Sequence, residues 1–449
     1  METLKILNAR LASQRLATIE VRDGRIVEVR DQNQAMVTPP PSAVPVAALQ
    51  SEQQAPIIDA TGHLILPAAL DVHIHARDPG LVHKEDWTSI GRCARQGGVA
   101  AVVDMPNTIP PTLTAADVEQ KAELARKSGI TVKILLGVST RNIGTIGQTL
   151  RRNDLPLAGV KVFYGPSTGD LVFSDLEALG KNLPTDGKRL VVFHSEDQCG
   201  IDCNKAELLN DYEAAKHSTT PSAYAIHSKL RSSSTAWTST QIIMDWAVAW
   251  KGPVHLAHVS TPREIDMVLN ARSRGAQITC EVAPHHLLLS TRDYDRLGGF
   301  LKVNPPVRSQ EEVVALRQHM TDGHIDMIAT DHAPHTIDEK KRPYESCPSG
   351  MPSLDFFYPL AFEIGRICNL SVERVVELAS TEPASRFGFG DLGQIAVGKA
   401  ASFVWIEEKP WTLSAKEVVS KCGWTPYDGM SLPVRVRVTW LKGRNIYCG

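Results

Sequence analysis

The residues best suited to chemistry sit in one short stretch, Asp71-Val-His73-Ile-His75-Ala-Arg77-Asp78-Pro79-Gly80. An apolar run, His63-Leu-Ile-Leu-Pro-Ala-Ala-Leu70, precedes it and reads as a buried strand. Side chains alternate faces along a strand, so His73 and His75 point the same way. Their separation of roughly 6.6 Å along the chain lets two imidazoles share one metal ion. Arg77 continues the same face, and Pro79-Gly80 ends the strand in a turn. The stretch offers two neutral nitrogen ligands and, just beyond them, a fixed cation with a planar fork. That suits a metal ion with an anionic substrate held beside it. Taken alone, the His-x-His pair also fits two histidines bonded to loop carbonyls, and partners elsewhere in the chain must decide.

Such partners lie at the ends of other apolar runs. From about residue 64, runs of four to eight apolar residues alternate with helical segments. Eight candidate strands fall at about 64–73, 99–105, 131–138, 158–164, 189–194, 253–258, 276–282 and 325–331. Amphipathic stretches at 114–128, 174–183, 239–250, 262–274 and 310–320 lie between them, the first capped by Thr114 with Asp117 three residues on. Alternating β and α elements imply a parallel sheet, and eight of them imply closure into an α/β fold, the (β/α)8 TIM barrel. The C-terminal strand ends of such a barrel converge on one mouth. There the sequence sets His73, His75 and Arg77 after the first strand, Asp104 and Asn107 after the second, and Lys161 in the fourth. His194 ends the fifth, His258 the sixth and Asp331 the eighth.

Lys161 stands out in this group. Its plain reading is a lysine that snorkels out of a strand. As an ammonium it has no lone pair and repels a metal. A neutral amine can add carbon dioxide to give a carbamate, an anion with two oxygens able to bridge two metals. Two dications about 3.5–4 Å apart need such bridges. His73, His75, Lys161, His194, His258 and Asp331 would then form a two-metal site. Imidazole ligands favour zinc without excluding manganese or cobalt.

The rest of the 449 residues frames this constellation. A net charge of −2 with 22% charged residues shows no one-signed excess of the kind that binds nucleic acid or membrane surfaces. The N-terminus lacks a signal-peptide core and no run of 18 apolar residues occurs. Eight scattered cysteines without a Cys-x-x-Cys pair read as reduced thiols of a cytoplasmic protein. Short strands at each end, around Asp23-Gly24 and Lys442-Gly443, are expected to pair as a small β-sandwich. The expected domains are 1–63 and 391–449 for that unit and 64–390 for the barrel. Residues 35–55, rich in Pro, Ala, Ser and Gln, read as a linker. His285 and His286 read as supporting or loop residues, and His217, His227, His319 and His324 as surface. Trp237, Trp246 and Trp250 read as core, and Glu196-Asp197 as steadying the loop beside His194.

Four motifs together are specific: Asp71 to Gly80, Met105-Pro-Asn-Thr108, Lys302-Val-Asn-Pro-Pro-Val-Arg308 and Ala329-Thr-Asp-His-Ala-Pro-His335. On them, residues 55–449 resemble the dihydroorotases, cyclic amidohydrolases of the amidohydrolase superfamily. The resemblance implies a zinc enzyme of pyrimidine (UMP) biosynthesis that interconverts dihydroorotate and N-carbamoyl-aspartate. It implies that His73, His75 and Asp331 hold one Zn2+ and His194 and His258 the other. Carboxylated Lys161 would bridge the two, and Asp331 would act as general acid and base. Arg77, Asn107 and His335 would grip the substrate carboxylate, with Asn304 and the backbone around Gly350 on the ring. The partners the family implies are a second copy, as a homodimer, and aspartate transcarbamoylase. Asp78 replaces the family's more usual glutamate, and the segments 349–355 and 232–236 also differ from its common pattern. Two rival readings follow from the same motifs. A hydantoinase (dihydropyrimidinase) or allantoinase shares the metals, but a neutral hydantoin ring has no carboxylate for Arg77 and Asn107. A non-catalytic scaffold for the transcarbamoylase would have lost ligands that are all present here.

Overall fold

Pro67 marks the point where the chain passes from one sheet to another. The structure, a computed structural model, describes residues 3–32, 57–166, 171–184 and 189–448. The segment 35–55, expected as a linker, lies outside the described residues. The first sheet opens with β1 (Thr3–Arg10), β2 (Leu16–Arg22), β3 (Arg25–Asp31), β4 (Ile57–Asp59) and β5 (Leu64–Pro67). The second holds β6 (Ala69–Ile74), β7 (Val99–Asp104), β8 (Thr131–Gly137), β9 (Leu157–Tyr164), β10 (Leu190–Ser195), β11 (Pro253–Leu256), β12 (Gln277–Val282) and β13 (Met327–Ile328). The chain then returns to the first sheet with β14 (Phe403–Glu407), leaves for a ribbon of β15 (Trp411–Thr412) and β16 (Ser431–Leu432), and ends with β17 (Arg435–Leu441) and β18 (Arg444–Cys448).

The single run expected at 64–73 is two strands. Leu64–Pro67 pairs antiparallel with β14, whereas Ala69–Ile74 pairs parallel with β7. Proline has no N–H to continue a ladder, and the next two amides turn to different partners. Ala68 N–H donates to Ser402 O at 3.1 Å and Ala69 N–H to Gly98 O at 2.9 Å. The small sheet runs β18-β17-β14-β5-β1-β2-β3, so strands from both chain ends lie side by side. Asp23-Gly24 and Lys442-Gly443 both sit in the left-handed region that two-residue hairpin turns require.

The second sheet runs β6 to β13 in chain order, every neighbouring pair parallel. Its seam is closed by Ile74 beside His332 and by His75 N–H donating to His332 O at 2.8 Å. The Asp71 carboxylate also spans the seam, accepting the N–H of Thr330 at 3.0 Å and its hydroxyl. The eighth strand is shorter than the expected 325–331, because the chain at Asp331 adopts a left-handed conformation (φ 48°) that ends an extended run. Leu70, Val72, Val103, Leu135, Val192 and Met327 fill the barrel interior with Phe387 and Phe389. A larger apolar layer joins the outer strand faces to the helices.

The helices fall where periodicity set them, with local differences. Thr114 and Asp117 form the expected reciprocal cap of Ala115–Ala125. The helix expected from 239 begins at Ser233, its serine-rich run forming the first turn. Trp246 and Trp250 stack at 4.9 Å and are half-buried rather than core, as is Trp237 under the Arg263 guanidinium. The indole N–H groups of Trp246 and Trp237 need acceptors, found at Leu176 O and Thr261 Oγ1, which keeps both rings at the edge of the core. Among the described residues, no helix is long and apolar enough to cross a membrane.

One helix side chain fixes the mouth directly. Lys121, 1% exposed, reaches back to Asp104 at 2.6 Å and to Met105 O at 2.9 Å. Asp104 in turn accepts Ala76 N–H at 2.8 Å. This buried pair ties the ends of β6 and β7 at the point where His75 and Arg77 emerge. Removing one partner strands the other charge. Lys121→Met should therefore lower unfolding stability by about 3–5 kcal/mol in a urea titration.

Candidate metal centre and substrate cleft

Every site residue named from the sequence except His335 lines one cleft of about 370 Å³, joined there by Phe163, Val303, Ala333 and Ser349. His73, His75 and Asp331 place one ligand atom each within 4.8 Å of one another. His73 Nδ1 is 2.5 Å from Glu281 Oε1, so its proton sits there and Nε2 turns its lone pair toward Asp331 Oδ1, 3.4 Å away. His75 is held the same way: Nδ1 donates to Asn107 Oδ1 at 2.7 Å, and Nε2 faces Asp331 Oδ1 at 3.1 Å. Two imidazole lone pairs and a carboxylate oxygen facing one another repel unless a cation lies among them. Burial pulls His75 down to about 4 despite the nearby Asp331 carboxylate, so a proton is a poor candidate at neutral pH. A metal ion fits this donor set.

The other half of the cluster lies across the mouth. His194 Nε2 is 3.2 Å from Glu196 Oε2, which leaves Nδ1 to face His258 Nε2 at 2.9 Å. Burial lowers the pKa of both rings, so both offer lone pairs. Between the two halves stands Lys161, fully buried, its Nζ without a hydrogen-bond partner and 5.4 Å from the Phe163 ring centre. Burial brings its pKa down to about 8. An orphaned, partly neutral amine among imidazoles is not the snorkelling lysine of the plain reading.

Arg77 forms the third side. It is 2% exposed and stays charged, burial lowering its pKa only to about 10. Nε donates to Pro334 O at 3.1 Å. His335 lies one layer back, fully buried behind Arg77: Lys84 Nζ donates to its Nδ1 at 3.0 Å and its Nε2–H donates to Ser349 O at 3.0 Å. The Ser349-Gly350 wall is tied by two buried ammonium groups. Lys340 Nζ donates to the carbonyls of Lys302, Pro348 and Gly350 at 2.8–3.0 Å, and Lys302 Nζ to those of Tyr344 and Cys347. Gly350 has φ 139°, and a Cβ there would meet Ala333 O at 2.5 Å, so only glycine brings this backbone to the cleft.

Several residues that hold the site carry weaker sequence signals. Glu281 and Glu196 are fully buried carboxylates against His73 and His194, and Arg231 pairs with Glu196. A lone charge inside an apolar strand, as in Gln277-Ile-Thr-Cys-Glu-Val282, is the signal that marks Glu281. His227 is a correction: it is 3% exposed, not surface, because its ring bonds Tyr344 Oη at 3.0 Å and Asn304 Oδ1 at 2.9 Å and so orients a cleft residue. His319 and His324 are half-buried and face each other at 3.0 Å, whereas His217 is exposed as expected. His285 and His286 are buried on the short helix Pro284–Leu288 and do not line the cleft. Glu85, Cys93 and His332 also gather within 4.8 Å. There, however, His332 Nδ1 accepts the N–H groups of Ser353 and Leu354, so Nε2 carries the proton and offers nothing to a metal.

A parallel barrel with this cluster at its C-terminal mouth is the architecture of a metal-binding enzyme site, and the relatives define the class as hydrolases of cyclic amides. Residues 248–446 match the Amidohydrolase family. The chain is 34% identical to a dihydroorotase of Methanosarcina mazei over 385 residues, 83% of this chain and 82% of that protein. It is 35% identical to a dihydroorotase of Halobacterium salinarum over 403 residues, 87% of this chain and 88% of the relative. The chain therefore belongs to the dihydroorotase family of the amidohydrolase superfamily. Its fold is similar to that of an L-hydantoinase (dihydropyrimidinase) from Arthrobacter aurescens, with TM-score 0.86 and 23% identity over 99% of this chain and 96% of the other. A dihydropyrimidinase from Brevibacillus agri matches with TM-score 0.83 and 21% identity over 100% and 95%.

A metal ion bound by His73, His75 and Asp331 stabilises the folded chain over the unfolded one. Zinc at a free concentration of 100 times its Kd should add about 2.7 kcal/mol to the metal-stripped chain. The midpoint of thermal unfolding should rise accordingly, and the gain should shrink in His73→Ala.

Proposed function

We propose that this chain catalyses the reversible hydrolysis of dihydroorotate to N-carbamoyl-aspartate at two zinc ions held by His73, His75, Lys161, His194, His258 and Asp331. One observation carries the reading: a donor cluster that requires cations lies beside a buried, permanently charged guanidinium. The substrate has the matching parts, a ring amide for the first and an exocyclic carboxylate for the second. The dihydroorotases among its relatives support the same assignment. Bound metals would polarise the ring carbonyl and lower the pKa of water to near neutrality.

The remaining work falls to side chains. Lys161, with its pKa near 8, exposes enough neutral amine to add carbon dioxide. An N–C bond forms and one proton leaves, giving a carbamate whose charge offsets the two dications. Arg77 takes the substrate carboxylate with a planar pair of N–H donors. His335, held by Lys84 and Ser349, packs behind that guanidinium, which Pro334 O keeps in place. Asn107 completes the anion pocket, and Asn304 with the Gly350 backbone faces the ring. Water oxygen bonds to the amide carbon while Asp331 accepts its proton. Asp331 then passes that proton to the ring nitrogen as the C–N bond breaks. Ring closure reverses each transfer.

The test is a substrate panel of dihydroorotate, hydantoin and allantoin with the zinc-loaded protein. Dihydroorotate should be turned over and the other two spared; comparable kcat/KM on hydantoin would reject the reading. Asp331→Asn should fold, as judged by circular dichroism, and lose about 10²–10⁴ in kcat. Arg77→Gln should lose about 10–100-fold in kcat/KM through the missing charged hydrogen bonds.

A further inference from the structure

Glu281 lies on β12, 1% exposed, and its two oxygens collect three donors that belong to different parts of the centre. Oε1 accepts the Nδ1–H of His73 at 2.5 Å and the backbone N–H of His258 at 3.2 Å. Oε2 accepts the Nε2–H of His255 at 2.9 Å, and His255 Nδ1 accepts the hydroxyl of Thr279 at 2.9 Å. His255 thereby occupies Oε2, which leaves Oε1 to the other two groups. His258 stands in the left-handed region (φ 35°), so its N–H direction, and with it the aim of its ring, needs an outside anchor.

We propose that Glu281 is the positioning residue that aligns both halves of the metal centre at once. On one side it keeps the His73 proton on Nδ1, so that Nε2 meets the metal as a lone pair. On the other it fixes the backbone turn that presents His258. Without it His73 can take the opposite tautomer, which puts a proton between Nε2 and the Asp331 carboxylate and closes that position to a metal. A carboxylate behind a ligating imidazole also raises its basicity. The inference rests on the two-metal reading and extends it to a residue that touches neither metal nor substrate.

The test compares Glu281→Leu and Glu281→Gln with the wild-type chain by competition against a chelator, reading zinc stoichiometry and both binding steps, with apo-protein unfolding measured alongside. Glu281→Leu should weaken both steps about 10–100-fold. Glu281→Gln keeps the reach and an acceptor oxygen for His73, because His255 can shift its proton to Nδ1, but it loses the charge. It should weaken both steps by less than Leu does, and it carries the test by itself if the leucine variant fails to fold. Wild-type zinc affinity in a folded variant, with only apo stability lowered, would show a packing role and overturn the inference. So would a loss confined to one step. If the wild-type chain binds no zinc, the two-metal reading falls together with this one; if it binds two and the variants match it, only this inference falls.

Discussion

A buried carboxylate and two imidazoles that point lone pairs at one another repel unless a cation lies between them. His73, His75 and Asp331 face one another this way within 4.8 Å, and much of the molecule can be read as the apparatus that holds them there. Each is denied the easier arrangement. Glu281 accepts from His73 Nδ1 and Asn107 Oδ1 from His75 Nδ1, which turns each Nε2 toward Asp331. Burial raises the cost of protonating His75. The barrel supplies the constraint, because its interior packing and the Asp71 seam fix the strand ends.

The backbone records this constraint. Arg77, His258 and Asp331 all have positive φ, at 64°, 35° and 48°, a region that few non-glycine residues occupy. Each ends a strand run and swings a side chain into the mouth. Such conformations persist where neighbouring contacts over-determine them, and those contacts are visible. Arg77 is pinned by Pro334 O, His258 by Glu281, and Asp331 by the Thr330 and His332 links to β6. The facing wall is organised by charge instead: Lys302 and Lys340 use buried ammonium groups to gather loop carbonyls that no ladder serves.

The cleft has two kinds of wall. His73, His75, His194, His258 and Asp331 sit at or just beyond strand ends, where geometry is stiff. Arg77 and the long loop through Gly350 form the other wall, where insertions and exchanges are tolerated.

From residue types and order alone one can read the barrel, a helix cap and the side chains that gather at its mouth, because strand alternation and periodicity are local properties. His-x-His, Lys161 in an apolar strand and Asp331 at a strand end are each ambiguous alone and gain weight from sharing strand ends of one barrel. What depends on contacts across the fold stays hidden from the sequence. The split at Pro67 needed the partner strand Phe403–Glu407 to exist. His227 looked like a surface residue until Tyr344 and Asn304, far along the chain, closed over it. Glu281 and Glu196 gained meaning only from the histidines they face. Hydrogen-bond partners, and therefore tautomers and the aim of each lone pair, are set by residues remote in the chain. Composition and spacing chose the atoms for this centre; the tertiary structure decided which way each of them points.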